Sequence, residues 1–231
     1  MFKRLYYIIL QRIYVLKNKN KANQGRVYMF HEVSDNNGTY SISKEHFKEF
    51  LDWLSNNKKI VDPKTLIKEK NPNNVVITFD DAFDSVYKNA YPLLKERNVP
   101  FVIFECLDFL NKKDFLSEEM IKDMLENSKC ILGSHSIKHE LHRFLKEDVA
   151  NNYIEESRKE LEKKFNTKVN CFAFPYGSMY ACSNENIDKA KSIYDYVFMT
   201  YPLSYNEENK NVIPRINMND KTYIEEMKWY L

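Results

Sequence analysis

Short apolar runs recur along the whole chain, and longer stretches between them repeat their apolar residues every three or four positions. The runs are Val27 to His31, Val75 to Asp80, Pro100 to Glu105, Cys130 to His135, Cys171 to Tyr176, Tyr196 to Thr200 and Val212 to Ile216. Each has the length of a strand and is too short for a helix. Phe47, Phe50, Leu51 and Leu54 keep one side of a helix, as do Phe83, Val86, Tyr87 and Ala90. Val149, Tyr153, Leu161 and Phe165 predict a long helix, and Asp220 stands where it can cap a last one carrying Ile224, Met227 and Leu231. Strands that alternate with helices must run parallel and be joined by crossovers. The chain is therefore expected to be α/β, with about seven parallel strands in a barrel or a doubly wound sheet.

A chain of 231 residues, 43% hydrophobic and 29% charged, can bury one large core, and no low-complexity linker divides it. The expected division is residues 1–25 as an N-terminal helix and 26–231 as a single domain. Lys68 to Asn74 and Asn206 to Asn211 are read as surface loops within it. A formal charge of +2 gives no field to attract nucleic acid. With four glycines in total and no G-x-G-x-x-G, P-loop or G-x-S-x-G, nothing is available to cradle a nucleotide or build a nucleophile elbow. Cys106, Cys130, Cys171 and Cys182 have no paired C-x-x-C spacing and read as buried thiols, which favours a reducing compartment.

Near the N-terminus, Phe2, Leu5, Tyr6, Ile9, Ile13 and Leu16 fall at helical spacing among Arg4, Arg12, Lys17, Lys19 and Lys21. Residues 2–19 are thus expected to be a basic amphipathic helix, either packed on the domain or lying against a membrane surface. Gln11 and Arg12 interrupt the apolar run before it could act as an export signal or span a bilayer. The expected location is cytoplasmic or peripheral to a membrane, with the extracellular side left open.

The chemistry concentrates at the ends of two runs. Val75-Val76-Ile77-Thr78-Phe79 is a buried strand that ends in Asp80 and Asp81. Alternation along a strand points these carboxylates apart, so that one can hold a cation while the other takes a proton; capping of the next helix is the competing role. Cys130-Ile131-Leu132 leads into Gly133-Ser134-His135-Ser136-Ile137-Lys138-His139. Two histidines four apart can face one ion across a turn, and Asp81 would complete a two-His, one-carboxylate set with positions open for water and substrate.

Thr-Phe-Asp-Asp followed by His-Ser-x-x-His resembles the NodB-type polysaccharide deacetylases, carbohydrate esterase family 4. Met29-Phe30-His31-Glu32-Val33, Phe172-Ala173-Phe174-Pro175-Tyr176-Gly177 and Pro214-Arg215-Ile216 extend the likeness over residues 26 to 217. These outlying pieces resemble the branch of exopolysaccharide poly-N-acetylglucosamine deacetylases. The resemblance implies a distorted, incomplete (β/α) barrel whose active site lies at the carboxyl ends of the strands. It implies that Asp81, His135 and His139 bind one divalent metal, commonly Zn2+, with Co2+, Ni2+ or Mn2+ as alternatives. Asp80 is then the general base for water attacking an acetamide, and a backbone N–H near Pro175 and Tyr176 binds the oxyanion.

Two positions depart from the family pattern. Ala173 stands where many members have an arginine that orients the catalytic aspartate, and Arg215 is the candidate replacement. No histidine follows His142, although many members use a late one as general acid. His31 is the candidate acid, with His142 behind it, and a structural role is open for both. The expected activity is removal of N-acetyl groups from a glycan: exopolysaccharide, cell wall or a lipid-linked amino sugar. A glycan-binding or scaffold protein that keeps the metal site without turnover is the alternative.

Overall fold

The structure, a computed structural model, describes residues 2–36, 38–208 and 212–227. In chain order the elements are α1 (Phe2–Asn18), β1 (Arg26–Phe30), β2 (Glu32–Val33), β3 (Ser41–Ile42), α2 (Lys44–Asn57), β4 (Lys59–Ile60), α3 (Pro63–Glu69), β5 (Asn74–Phe79), α4 (Tyr91–Glu96) and β6 (Phe101–Glu105). There follow α5 (Glu118–Asn127), β7 (Cys130–Ser134), α6 (Glu147–Phe165), β8 (Cys171–Ala173), α7 (Asn184–Ile193), β9 (Tyr196–Met199), β10 (Ile213–Pro214), β11 (Ile216–Asn217) and α8 (Asp220–Met227). The main sheet has nine strands in the order β10-β9-β8-β7-β6-β5-β1-β11, with β4 also paired to β5. Every pairing in it is parallel.

The expected run Val212 to Ile216 proves to be two strands rather than one. Ile213 and Pro214 pair with β9 at one edge, whereas Ile216 and Asn217 pair with β1 at the other. Consecutive residues thus link the two edges of the sheet, which nearly closes on itself as a distorted, incomplete barrel. Arg215 lies at the seam.

Both faces of the sheet are covered, so the strands read as continuous apolar runs instead of an apolar–polar alternation. Val27, Val76, Val102, Phe104, Ala173 and Phe198 pack together inside the barrel. Their neighbours in sequence, such as Tyr28, Ile77, Ile103, Phe172 and Val197, pack outward under the helices. The period of two has a direct consequence at the carboxyl ends. Continuing the inward set along β1, β5 and β7 from Val27, Val76 and Ile131 leads to His31, Asp80 and His135.

The helices begin where short polar side chains satisfy free N–H groups. Ser43 caps α2, Asp62 with Pro63 behind it caps α3, Ser117 caps α5, and Ser183 forms a capping box with Asn186 on α7. Phe47, Phe50, Leu51 and Leu54 are buried on α2 as their spacing predicted. Three helices, α3, α5 and α7, were not expected, being short and weakly patterned. Elsewhere the pattern around Phe83 to Ala90 becomes a π-turn over Val86–Ala90 before α4.

Asp220 does not cap α8. Asn219 Oδ1 accepts the Thr222 N–H at 2.9 Å, and Asp220 reaches across to accept from the Ser43 N–H, also at 2.9 Å. Tyr223 is the buried residue of α8, whereas Ile224 is exposed and Leu231 lies outside the described residues. Asn209 to Asn211 also lie outside them; Asn206, expected in a surface loop, is buried and donates to the Ala22 carbonyl at 2.7 Å.

Candidate active site

Beyond β5 the chain turns sharply, with Asp81 at φ 64° and Ala82 at φ 54°. The left-handed turn, not the strand pleat, separates the two carboxylates. Neither caps a helix: the next one starts after Ser85 without any side-chain cap bond. Asp80 points into the barrel and is buried. Arg215 Nη1 donates to its Oδ1 at 2.6 Å and Nη2 to its Oδ2 at 2.7 Å, a two-pronged pair. The guanidinium is fully buried and lies over the rings of Phe104 and Phe198, 5.2 and 5.8 Å from their centroids. Burial alone would push the Asp80 carboxyl up. The charges of Arg215 and His135, with the Arg215 hydrogen bonds, outweigh it and hold Asp80 below the usual carboxylate range.

Asp81 faces the two histidines instead. Its Oδ1 lies 3.4 Å from His135 Nε2 and 3.2 Å from His139 Nε2, and ligand atoms of the three residues all fall within 4.8 Å of one another. His135 Nδ1 is 2.8 Å from the Ala173 carbonyl, so that nitrogen carries a proton and Nε2 faces Asp81. Against the effect of burial, His135 and His139 draw the Asp81 carboxyl down to about 2. Burial, and then the charge of His135, lowers His139 to about 4. Burial also acts to lower His135, but Asp80 and Asp81 outweigh it and raise the ring above its ordinary value.

The remaining predicted residues separate into two groups. His31 sits beside the site, where burial lowers its pKa while Asp80 and Asp81 act to raise it. Its Nδ1 is buried without a hydrogen-bond partner among the described residues, and its ring lies 5.2 Å from that of Tyr40. Tyr176 adopts φ 64° after Pro175, is exposed, and sets its ring 4.4 Å from that of His139. Gly177 then continues the turn at φ 55°, where a Cβ would come within 2.2 Å of Thr200 Oγ1. His142, by contrast, belongs to the scaffold: its Nε2 lies 3.0 Å from Ser136 Oγ and its Nδ1 3.1 Å from the Glu140 carbonyl. Both contacts brace the turn that carries His135 and His139.

Glu105 was not anticipated as a site residue. It ends β6 fully buried, and neither carboxyl oxygen has a hydrogen-bond partner among the described residues. Burial first, and then the nearby charge of Asp81, raises it well above the ordinary glutamate value. A polar residue ending the apolar run Phe101–Phe104 was the available sequence signal. Left-handed backbone at Asp81, Ala82, Ser136 and Tyr176 also marks the site, because strain gathers where surrounding structure must hold functional groups in place.

The model of the polysaccharide deacetylase family matches residues 67–198, more than half of the sequence. The chain belongs to the polysaccharide deacetylase family. The poly-beta-1,6-N-acetyl-D-glucosamine N-deacetylase of Staphylococcus aureus is 27% identical over 205 residues, covering 80% of this chain and 70% of that one. YxkH of Bacillus subtilis, named for the same family, is 28% identical over 158 residues, 65% of this chain. The match spans only 56% of the length of YxkH. Among solved structures, IcaB from Ammonifex degensii superposes with a TM-score of 0.75 at 22% identity, covering 90% of this chain and 97% of that one. Fold and family thus agree with the NodB-type resemblance and its poly-N-acetylglucosamine branch.

Proposed function

We propose that this deacetylase-family chain removes N-acetyl groups from an amino-sugar glycan by metal-dependent hydrolysis, with Asp80 as the general base. The observation that carries the reading is the division of labour between adjacent carboxylates. Asp81 is grouped with two histidine nitrogens, while Asp80 is turned away and clamped by Arg215.

The donor set fits a divalent ion. Asp81 Oδ1 is buried without a hydrogen-bond partner among the described residues, His135 is fixed with Nε2 inward, and three ligands leave room for water and substrate. Zinc is the expected ion, with Co2+, Ni2+ or Mn2+ as alternatives, and when bound it supplies Lewis-acid activation of water and of the amide carbonyl. Asp80 accepts the proton of the attacking water, and Arg215 keeps it ionised and aimed. The left-handed Tyr176, which follows Pro175, is the residue whose N–H would serve the developing oxyanion, and its exposed ring would form a wall for the sugar. The proton gathered by Asp80 must reach the departing amine. His31, facing both carboxylates with a free Nδ1, is the candidate to pass it. Acetate and a free amino group result.

The substrate class spans exopolysaccharide, cell-wall glycan and lipid-linked amino sugar. Protein loaded with zinc or cobalt should release acetate from N-acetylglucosamine oligomers. Asp80→Asn should lower that rate at least ~100-fold with metal content unchanged, and Asp81→Ala or His135→Ala should lose the metal. The absence of any histidine after His142 favours, as a second reading, a glycan-binding protein without turnover. Glycan binding with no acyl release from polymeric, oligomeric and lipid-linked amino sugars would decide for it.

A further inference from the structure

The α1 helix packs on the barrel through Tyr7, Gln11, Tyr14 and Val15 and turns a second, apolar stripe outward. Tyr7, Gln11 and Tyr14 form the inner side. Arg143 donates to the Tyr7 hydroxyl at 3.0 Å, Gln11 bonds the Thr200 carbonyl at 3.2 Å and the Met179 N–H at 3.0 Å, and the Tyr14 ring lies 5.2 Å from that of Tyr201. On the opposite side Leu5, Tyr6, Ile9, Ile13 and Leu16 form a continuous stripe, each between 43% and 60% exposed. A helix packed on a soluble domain ordinarily leaves polar and charged side chains on its outer side, so this exposed apolar stripe requires a cover.

The charge around the stripe identifies what covers it. Lys3, Arg12 and Lys17 border it, and the helix contains no acidic residue. Two copies meeting stripe to stripe would bring these cations together with no acid on either helix to pair them, which disfavours self-association. An anionic lipid surface meets both requirements, since it takes the apolar side chains into the acyl boundary and the cations at the headgroups.

We infer that α1 lies in the interface of an anionic membrane and seats the mouth of the deacetylase site on the leaflet. The helix rests on the loop that carries Tyr176, and between them opens a cavity of about 850 Å³ whose walls include Tyr7, Ile8, Val15, Leu141, Tyr176 and Pro202. The membrane-facing helix and the Tyr176–His139 edge of the site thus border one apolar space. No described helix is long and apolar enough to cross a bilayer; the attachment inferred for α1 is by surface contact. The consequence for substrate, that it is presented at the leaflet, rests on the deacetylase reading.

The test is flotation of the full chain with phosphatidylcholine vesicles, with and without phosphatidylglycerol. Binding is expected only to the anionic vesicles and should weaken with salt. The triple variant Leu5→Asp/Ile9→Asp/Ile13→Asp should partition at least about tenfold less. Arg12→Glu/Lys17→Glu should also weaken binding. Both variants alter exposed side chains, so circular dichroism and acetate release from soluble oligomers should match wild type. On an N-acetylglucosamine glycolipid held in anionic vesicles, both variants should lose rate relative to wild type. No binding, equal binding by wild type and triple variant, or a lipid-free dimer abolished by that variant would overturn the inference. Vesicle binding without turnover of any substrate would uphold it while removing the deacetylase reading.

Discussion

Arg215 and Asp80 form a buried ion pair whose partners come from opposite ends of the sequence, and each depends on the other for solvation. Removing the guanidinium in Arg215→Met leaves an unpaired carboxylate inside the barrel, with an expected loss of about 3–5 kcal/mol in unfolding free energy, measurable by urea titration. The pair also sets a pH dependence. Asp80 is held below its ordinary value, so its contribution to stability is fully present above the unfolded value of about 3.9 and is lost as pH falls through its folded value. The same shift keeps Asp80, the proposed base, ionised in mild acid. Arg215→Lys retains the charge but loses the two-pronged geometry, so the acid limb of kcat/KM should move to higher pH. An unmoved limb, measured in the metal-loaded enzyme, would detach Arg215 from the base.

At the scale of elements, the site is built by what happens just past strand ends. The turn after β8 is the sharpest case. Gly177 sits at φ 55°, with Thr200 Oγ1 only 2.2 Å and the Thr200 nitrogen 2.9 Å from where a Cβ would stand. Gly177→Ala should therefore cost about 1–2 kcal/mol for the left-handed backbone, with a further loss as Thr200 is pushed aside. Because Tyr176 is the preceding residue, KM for oligosaccharide should rise more than metal affinity falls. A variant with a lower melting temperature and an unchanged KM would show that the turn supports the fold without shaping the sugar site. The outward-facing stripe of α1 belongs to this scale too: spacing predicted the helix and its apolar side, but which side meets the barrel was settled by Tyr7, Gln11 and Tyr14 finding specific partners.

Over the whole molecule, the proposed metal ligands come from the turns after β5 and β7, and the clamp on Asp80 comes from the seam between β10 and β11. A bound divalent ion therefore ties separate parts of the barrel together. At 100 times its dissociation constant it should stabilise the fold by about 2.7 kcal/mol, so chelation should lower the melting temperature. His139→Ala should abolish that difference; if it persisted undiminished, the ion would be bound elsewhere. Much of this architecture was legible in the sequence. Apolar runs too short for helices can only be strands, helical spacing between them makes the pairing parallel, and Asp80, Asp81, His135 and His139 stand out because such groups rarely end apolar strands without a task. The weakly patterned α3, α5 and α7 were not legible, because tertiary packing rather than a strong apolar stripe stabilises them. Nor was the burial of Glu105 beside Asp81, which depends on what surrounds it. The sequence by itself determined which strands carry the clustered polar residues and singled out Asp81, His135 and His139 as the proposed ligands, since both follow from local period and residue type. Only the tertiary structure decided that residues 213–217 bridge the two sheet edges, that Arg215 reaches Asp80, and that α1 turns an apolar stripe to the outside. Each of these joins positions far apart in the chain, and local periodicity carries no information about which distant surface a side chain will meet.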